Sequence, residues 1–137
     1  MYDPMLVEPM RQEAVRAGCE ETRSADEVHA AVKDAEGAVL VFVNSVCGCA
    51  AGGARPALTM ALQGEKKPTR SITVFAGNDR DATAAAREYF APYQPSSPQM
   101  GLLKGGELVW MLQRHDIEGR MPQEIAADMQ KAFEEHC

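Results

Sequence analysis

Residues 38–43 read Ala-Val-Leu-Val-Phe-Val, an unbroken apolar run rich in β-branched side chains. A strand with one wet face alternates apolar and polar positions, so a run without a polar position predicts a strand buried on both faces, in the middle of a partly parallel sheet. Asn44-Ser45-Val46-Cys47-Gly48-Cys49 follows at once, then an alanine-rich stretch through Leu62 that predicts a helix. Pro56 lies inside that stretch and has no N–H to give, so the helix is expected to kink or restart there.

The flanking sequence alternates helix and strand signals. Met5, Leu6, Met10, Ala14 and Ala17 fall on one face of a helix over 4–17 that Gly18 ends. Ser24 caps a second helix, with Asp26 and Glu27 in its first turn and Val28, Ala31 and Val32 on its buried side. Ser71–Ala76 reads as a second buried strand, after which Asp79 is placed to cap a helix over Ala82–Phe90. Beyond a loop punctuated by Pro92, Pro95 and Pro98, Met100–Leu103 and Leu108–Leu112 form a hairpin through Lys104-Gly105-Gly106-Glu107. Pro122 opens a last helix in which Ile125, Ala126, Met129, Ala132 and Phe133 recur at helical spacing. No linker divides the series. Residues 1–137 are therefore expected to form one α/β domain, a mixed central sheet of about four strands flanked by helices on both faces.

With 45% apolar and 25% charged residues, the chain has the composition of a soluble globular domain. A net charge of −6 and the lack of a Lys/Arg stripe argue against nucleic acid as a partner. No apolar run approaches the roughly 20 residues that span a bilayer, and Met1-Tyr2-Asp3-Pro4-Met5 lacks the basic-then-apolar order of a signal peptide. The expected address is the cytoplasm, without a membrane partner; the oligomeric state stays open. Four cysteines are too few and too unevenly spaced for a secreted disulfide scaffold, and in a reducing compartment a close pair points to redox chemistry or metal binding.

Cys47 falls between a buried strand and the start of a helix, where unpaired N–H groups and the positive end of the helix dipole stabilise a thiolate. The thiolate is the attacking species in disulfide exchange, and Cys49, two residues on, is close enough to attack a mixed disulfide formed at Cys47. A Cys-x-Cys disulfide closes a smaller ring than Cys-x-x-Cys, so strain is expected to make it readily reduced and suited to exchange or isomerisation. Gly48 supports this by tolerating backbone angles that other residues resist. Arg55 is a candidate to stabilise the thiolate or receive a substrate carboxylate, with a solvated face position as the equal alternative.

The segment from Asn44 to Gly52, followed by Ala54-Arg55-Pro56, resembles the bacilliredoxin family of bacterial thioredoxin-like proteins. The resemblance extends to Met1-Tyr2-Asp3-Pro4-Met5, Glu8-Pro9-Met10-Arg11, Thr73-Val74-Phe75-Ala76-Gly77, Pro95-Ser96-Ser97-Pro98 and Arg114-His115-Asp116-Ile117-Glu118-Gly119-Arg120. It implies a thioredoxin-like fold and removal of bacillithiol, a low-molecular-weight thiol, from protein mixed disulfides. Cys47 would attack, and Cys49 would resolve the adduct or form an internal disulfide for another thiol to reduce. Some members are described as disulfide isomerases, which would make oxidised client proteins the partners. No cofactor is implied beyond the Cys47–Cys49 disulfide and the small thiol as co-substrate. Ser97-Pro98 resembles the cis-proline loop that faces the active disulfide in such folds. Unlike ordinary thioredoxins, the strand Val39 to Val43 and the helix before it offer no obvious buried acid as proton acceptor for the resolving thiol.

Two other readings compete. In a metal-binding module Cys47 and Cys49 would join His or Met from elsewhere or from a second chain; in a non-catalytic adaptor Cys47 would be an ordinary thiol. Met60, Met100, Met111, Met129 and Trp110 read as core rather than as ligands or a substrate platform. His115-Asp116 reads as structural hydrogen bonding rather than as a base and its orienting acid, and no metal site is expected.

Overall fold

Every residue from Ala38 to Asn44 is buried in the computed structural model, which describes residues 1–137. In chain order the elements are α1 (Pro4–Ala17), β1 (Glu20–Glu21), α2 (Ala25–Asp34), β2 (Ala38–Asn44), a five-residue π-helical segment (Ala50–Ala54) running into α3 (Arg55–Ala61), β3 (Arg70–Phe75), α4 (Arg80–Glu88), β4 (Gln99–Lys104), β5 (Glu107–Leu112), α5 (Arg114–Ile117) and α6 (Pro122–His136). No helix is long and apolar enough to cross a membrane.

The sheet runs β1-β3-β2-β4-β5, with β1, β3 and β2 parallel and β4 and β5 antiparallel. It has five strands rather than about four. The extra one, β1, is two glutamates with no apolar pattern; it is a strand because Glu20 and Glu21 pair with Ile72 and Thr73, and Glu20 takes the Arg70 guanidinium at 2.6 Å. Only that long-range partner makes it one.

The alternation along β2 divides the core. Ala38, Leu40 and Phe42 pack under the helices on one face, with Ala14, Leu58, Ile125, Met129 and Phe133. Val39, Val41 and Val43 point the other way and join Val28, Val32, Ala82, Ala86 and Phe90. Two buried faces explain the absence of any polar position in the strand. Met100 and Met129 are core residues and Trp110 packs partly buried against them, whereas Met60 is 37% exposed and fills no gap.

Helix ends follow the expected chemistry with one exception. Ser24 caps α2 by accepting the Glu27 N–H at 3.2 Å. Asp79 precedes α4 yet makes no cap bond. Its carboxylate turns inward instead, taking both amino groups of buried Arg11 at 2.7 and 2.8 Å and the Phe75 N–H at 3.0 Å. A buried guanidinium attracts a carboxylate more strongly than helix amides do. The helical irregularity expected at Pro56 sits just ahead of it: the π turn lets Arg55 N–H reach the Ala50 carbonyl, and the wider turn accommodates the proline ring against the preceding turn.

Two glycine positions shape the hairpin side. Gly105 and Gly106 take φ of +63° and +80°, the left-handed pair that a tight hairpin turn requires. At Gly101 an added Cβ would lie 2.3 Å from the Phe90 ring and 3.0 Å from Leu108. Gly101→Ala is therefore expected to cost about 1–3 kcal/mol by overpacking, measured by urea denaturation; an unchanged midpoint would show that Phe90 yields freely.

Candidate active site

The parallel strands β2 and β3 end on the same side, and β2 delivers its last residue, Asn44, buried into the turn that precedes Cys47. Asn44 Oδ1 accepts the Ser45 N–H at 2.9 Å, and Asn44 Nδ2 donates to the Met10 carbonyl at 3.0 Å. Ser45 Oγ then accepts the Cys47 N–H at 3.0 Å, a local side-chain turn that aims the cysteine into the following helix. Gly48 and Cys49 are already helical, and the Ala50 and Ala51 N–H groups donate to the Cys47 carbonyl at 2.9 and 3.2 Å. Cys47 thus occupies the cap position, as its sequence neighbourhood suggests.

All four cysteines are free thiols. The Cys49 N–H points at Cys47 Sγ at 3.4 Å. Burial pushes the Cys47 thiol up, but that penalty is outweighed by hydrogen bonds from the Cys49 N–H and thiol, the charge of Arg114 and the Ala50 N–H, which together hold its pKa below the usual thiol value. Cys49 moves the opposite way. Its thiol donates to the Cys47 sulfur, is partly desolvated and lies beside the Cys47 charge, so its pKa is raised. When the pair gives up a proton, Cys47 is therefore the thiol that loses it first.

The family model described as disulphide isomerase matches residues 2–137. A bacilliredoxin of Bacillus licheniformis is 56% identical, covering 99% of this chain and 95% of the relative. One from Koribacter versatilis is 53% identical, covering 100% of this chain and 94% of the relative. The chain belongs to the bacilliredoxin family. Its fold is the thioredoxin fold: a solved thioredoxin-fold structure matches with a TM-score of 0.64 at 16% identity, covering 84% of this chain and 96% of the other.

Around this bacilliredoxin-family CGC pair, the supporting residues sit differently from their expected places. Arg55 makes no hydrogen bond to either sulfur and is no solvated face residue, its side chain being 4% exposed. It points back toward the end of β2, where Nη1 donates to Asn44 Oδ1 at 3.0 Å and to the Ser45 carbonyl at 2.8 Å, while Nε pairs with Glu13. Arg55 therefore clamps the turn that carries Cys47. Gly48 has an ordinary helical backbone, and a Cβ there would meet nothing within 4 Å, so this dithiol geometry needs no glycine freedom at that position.

The Ser97–Pro98 peptide bond is cis, as is Ala91–Pro92. Buried amides hold this loop against the turn after β5. Gln113 Oε1 accepts from Ser96 Oγ at 2.8 Å and from Gln99 Nε2 at 2.6 Å, and Gln113 Nε2 donates to the Gln94 carbonyl at 2.9 Å. The Arg114 N–H donates to Ser96 Oγ at 3.3 Å, placing the loop beside the residue whose charge acts on Cys47. Asp116 accepts the Gln113 N–H at 2.9 Å and so caps α5, while His115 is exposed. The site residues that sequence reasoning passed over are Asn44, Ser45, Gln99, Gln113 and Arg114. Signals existed for two of them: a serine two residues before the cysteine suits a side-chain turn, and Gln113-x-x-Asp116 has capping-box spacing.

The Cys47 shift has a sign that can be checked. A thiol whose folded pKa lies below its unfolded value adds stability above the unfolded value, and loses it as pH falls through the folded one. Arg114→Gln removes a cation that favours the thiolate, so the midpoint of Cys47 alkylation against pH is expected to rise. Because Arg114 is solvent-exposed, added salt should raise the midpoint in the parent chain and move it less in the variant. Identical midpoints at low salt would remove Arg114 from the site.

Proposed function

We propose that the chain is a thiol-disulfide oxidoreductase of the cytoplasm that takes a low-molecular-weight thiol such as bacillithiol from protein mixed disulfides, with Cys47 attacking and Cys49 resolving. The observation that carries this is a pair of cysteines at the start of a helix, with the Cys49 N–H on Cys47 Sγ at 3.4 Å, in which the surroundings lower the pKa of Cys47 and raise that of Cys49. In the first step the Cys47 thiolate bonds to the sulfur of the small thiol, the S–S bond to the client breaks, and the client leaves as a thiolate. With the Cys47 charge gone, Cys49 loses the hydrogen bond and the repulsion that were the Cys47 share of what kept it protonated; it gives its proton to solvent, and the thiolate attacks Cys47 Sγ and releases the small thiol reduced. The chain is left with a Cys47–Cys49 disulfide, two electrons having passed to the mixed disulfide, and an external thiol reductant resets it. On a client disulfide the Cys47 thiolate bonds instead to one client cysteine while the other leaves as a thiolate; when a different client cysteine then attacks that mixed disulfide and frees Cys47, the client's disulfide is isomerised with no net electron transfer. No further cofactor enters this scheme, and residues 1–137 act in it as one unit.

Within one chain the cysteines belong to no group of three or more His, Cys, Asp or Glu side chains, so a four-ligand zinc site would have to draw on Met or on a second chain, whereas exchange needs only the pair itself. The test is intact and peptide mass spectrometry after mixing the reduced chain with a bacillithiolated client protein. The bacillithiol mass should leave the client and appear transiently on the Cys47 peptide, followed by a Cys47–Cys49 disulfide. A client that keeps its bacillithiol while both cysteines stay reduced would refute the reading.

A further inference from the structure

A cleft of 310 Å³ opens between α1 and the π-helical start of α3, lined by Glu13, Arg16, Ala51, Arg55, Pro56 and Thr59. We propose that it is the subsite for the small-thiol half of the mixed disulfide, and that it recognises a carboxylate on that half. The proposal rests on the exchange chemistry above and names its substrate class.

The first observation is position. Ala51 forms part of the cleft, and its N–H is bonded to the Cys47 carbonyl at 3.2 Å, so the cleft begins one helical turn along the chain from the nucleophile. The second is an unfinished guanidinium. Buried Arg55 uses Nε on Glu13 and Nη1 on Asn44 and Ser45, and Nη2 has no partner. The one sealed side-chain polar atom without a hydrogen bond is Thr83 Oγ1, so Nη2 is reachable, and the space Arg55 borders is this cleft. The third is Arg16, exposed on the opposite wall with no ion-pair or hydrogen-bond partner. Two guanidinium groups with unused N–H donors make a carboxylate site, and the half-exposed Glu13 beside them accepts from an ammonium or hydroxyl.

Size and polarity select the occupant. Four of the six lining residues, Glu13, Arg16, Arg55 and Thr59, are polar or charged, which disfavours a hydrophobic client segment, and the volume suits a small molecule. A mixed disulfide has two sulfurs that Cys47 can attack. Holding the small thiol's carboxylate in the cleft presents the small thiol's own sulfur to Cys47, so the client is the leaving group. The S–S bond between them breaks, a new one forms at Cys47, and no electrons are gained or lost overall in this step.

The test compares a client peptide carrying glutathione with the same peptide carrying glutathione diethyl ester, whose carboxylates are neutralised. The reduced chain should transfer the free-acid thiol with a kcat/KM about tenfold higher. Arg16→Gln should bring that preference to about twofold, and Arg16→Lys should retain most of it. Equal rates for the two peptides in the parent chain, or the full preference surviving in Arg16→Gln, would overturn the cleft as the subsite while leaving the exchange chemistry intact. Failure of either thiol to arrive at Cys47 would instead overturn the exchange reading itself, and the cleft with it.

Discussion

Cys47→Ser abolishes transfer from mixed disulfides, by at least about a thousandfold, because the hydroxyl cannot supply the anion that disulfide exchange requires. Cys49→Ala behaves differently: it still attacks, but the adduct on Cys47 accumulates because no neighbouring thiol displaces it. The first attack in that variant should also slow modestly, since the Cys49 thiol is one of the groups that lower the Cys47 pKa. Burst kinetics and intact mass separate these effects. A stable adduct on Cys49 in Cys47→Ser, forming as fast as the Cys47 adduct does in Cys49→Ala, would reverse the roles, since the geometry gives the activating donors to Cys47 alone.

The largest stability effect is expected away from the sulfur atoms. Arg11 and Asp79 form a two-pronged ion pair, both side chains under a tenth exposed, with the Arg11 guanidinium 5.3 Å from the Phe75 ring centroid. The carboxylate holds the Arg11 pKa above its ordinary value and also accepts the Phe75 N–H. Asp79→Ala leaves a β3 amide without its partner and a buried cation with only Glu21, 3.8 Å away, a loss of about 3–5 kcal/mol. For a domain of this size that lowers Tm by about 10–20 °C. The double replacement Arg11→Met with Asp79→Leu should recover most of the loss, because the burden comes from the unpaired charge rather than from the missing pair. A single variant within about 1 kcal/mol of the parent chain would show that water reaches Arg11.

What sequence makes legible here is whatever is decided locally or by burial. An all-apolar run can only be a strand covered on both sides, so β2 and the layers around it follow from six residues. Ser24, Gly18 and Pro122 mark helix ends by their own backbone chemistry, and the strand-to-helix step places Cys47 at a cap. Features that depend on a distant partner are not legible. Two glutamates become β1 because β3 is beside them, and Asp79 gives up the α4 cap because α1 brings Arg11 within reach. Arg55 sits on the helix after the cysteines and reads equally as a thiolate or carboxylate partner and as a solvated face residue, until Glu13, Asn44 and Ser45 are seen to claim it. The charge acting on Cys47 belongs to Arg114, sixty-seven residues away in sequence, and only the tertiary fold sets the two side by side.

The central claim is that Cys47 is the thiol of the pair that loses its proton first. Site-resolved alkylation across pH, with each cysteine followed by peptide mass spectrometry, measures it directly. Cys47 should titrate with a midpoint below that of an ordinary free thiol and Cys49 with one above it, while Cys19, buried and with its pKa pushed up to about 12, stays unlabelled in the folded chain. A Cys47 midpoint at or above that of Cys49 would contradict the account.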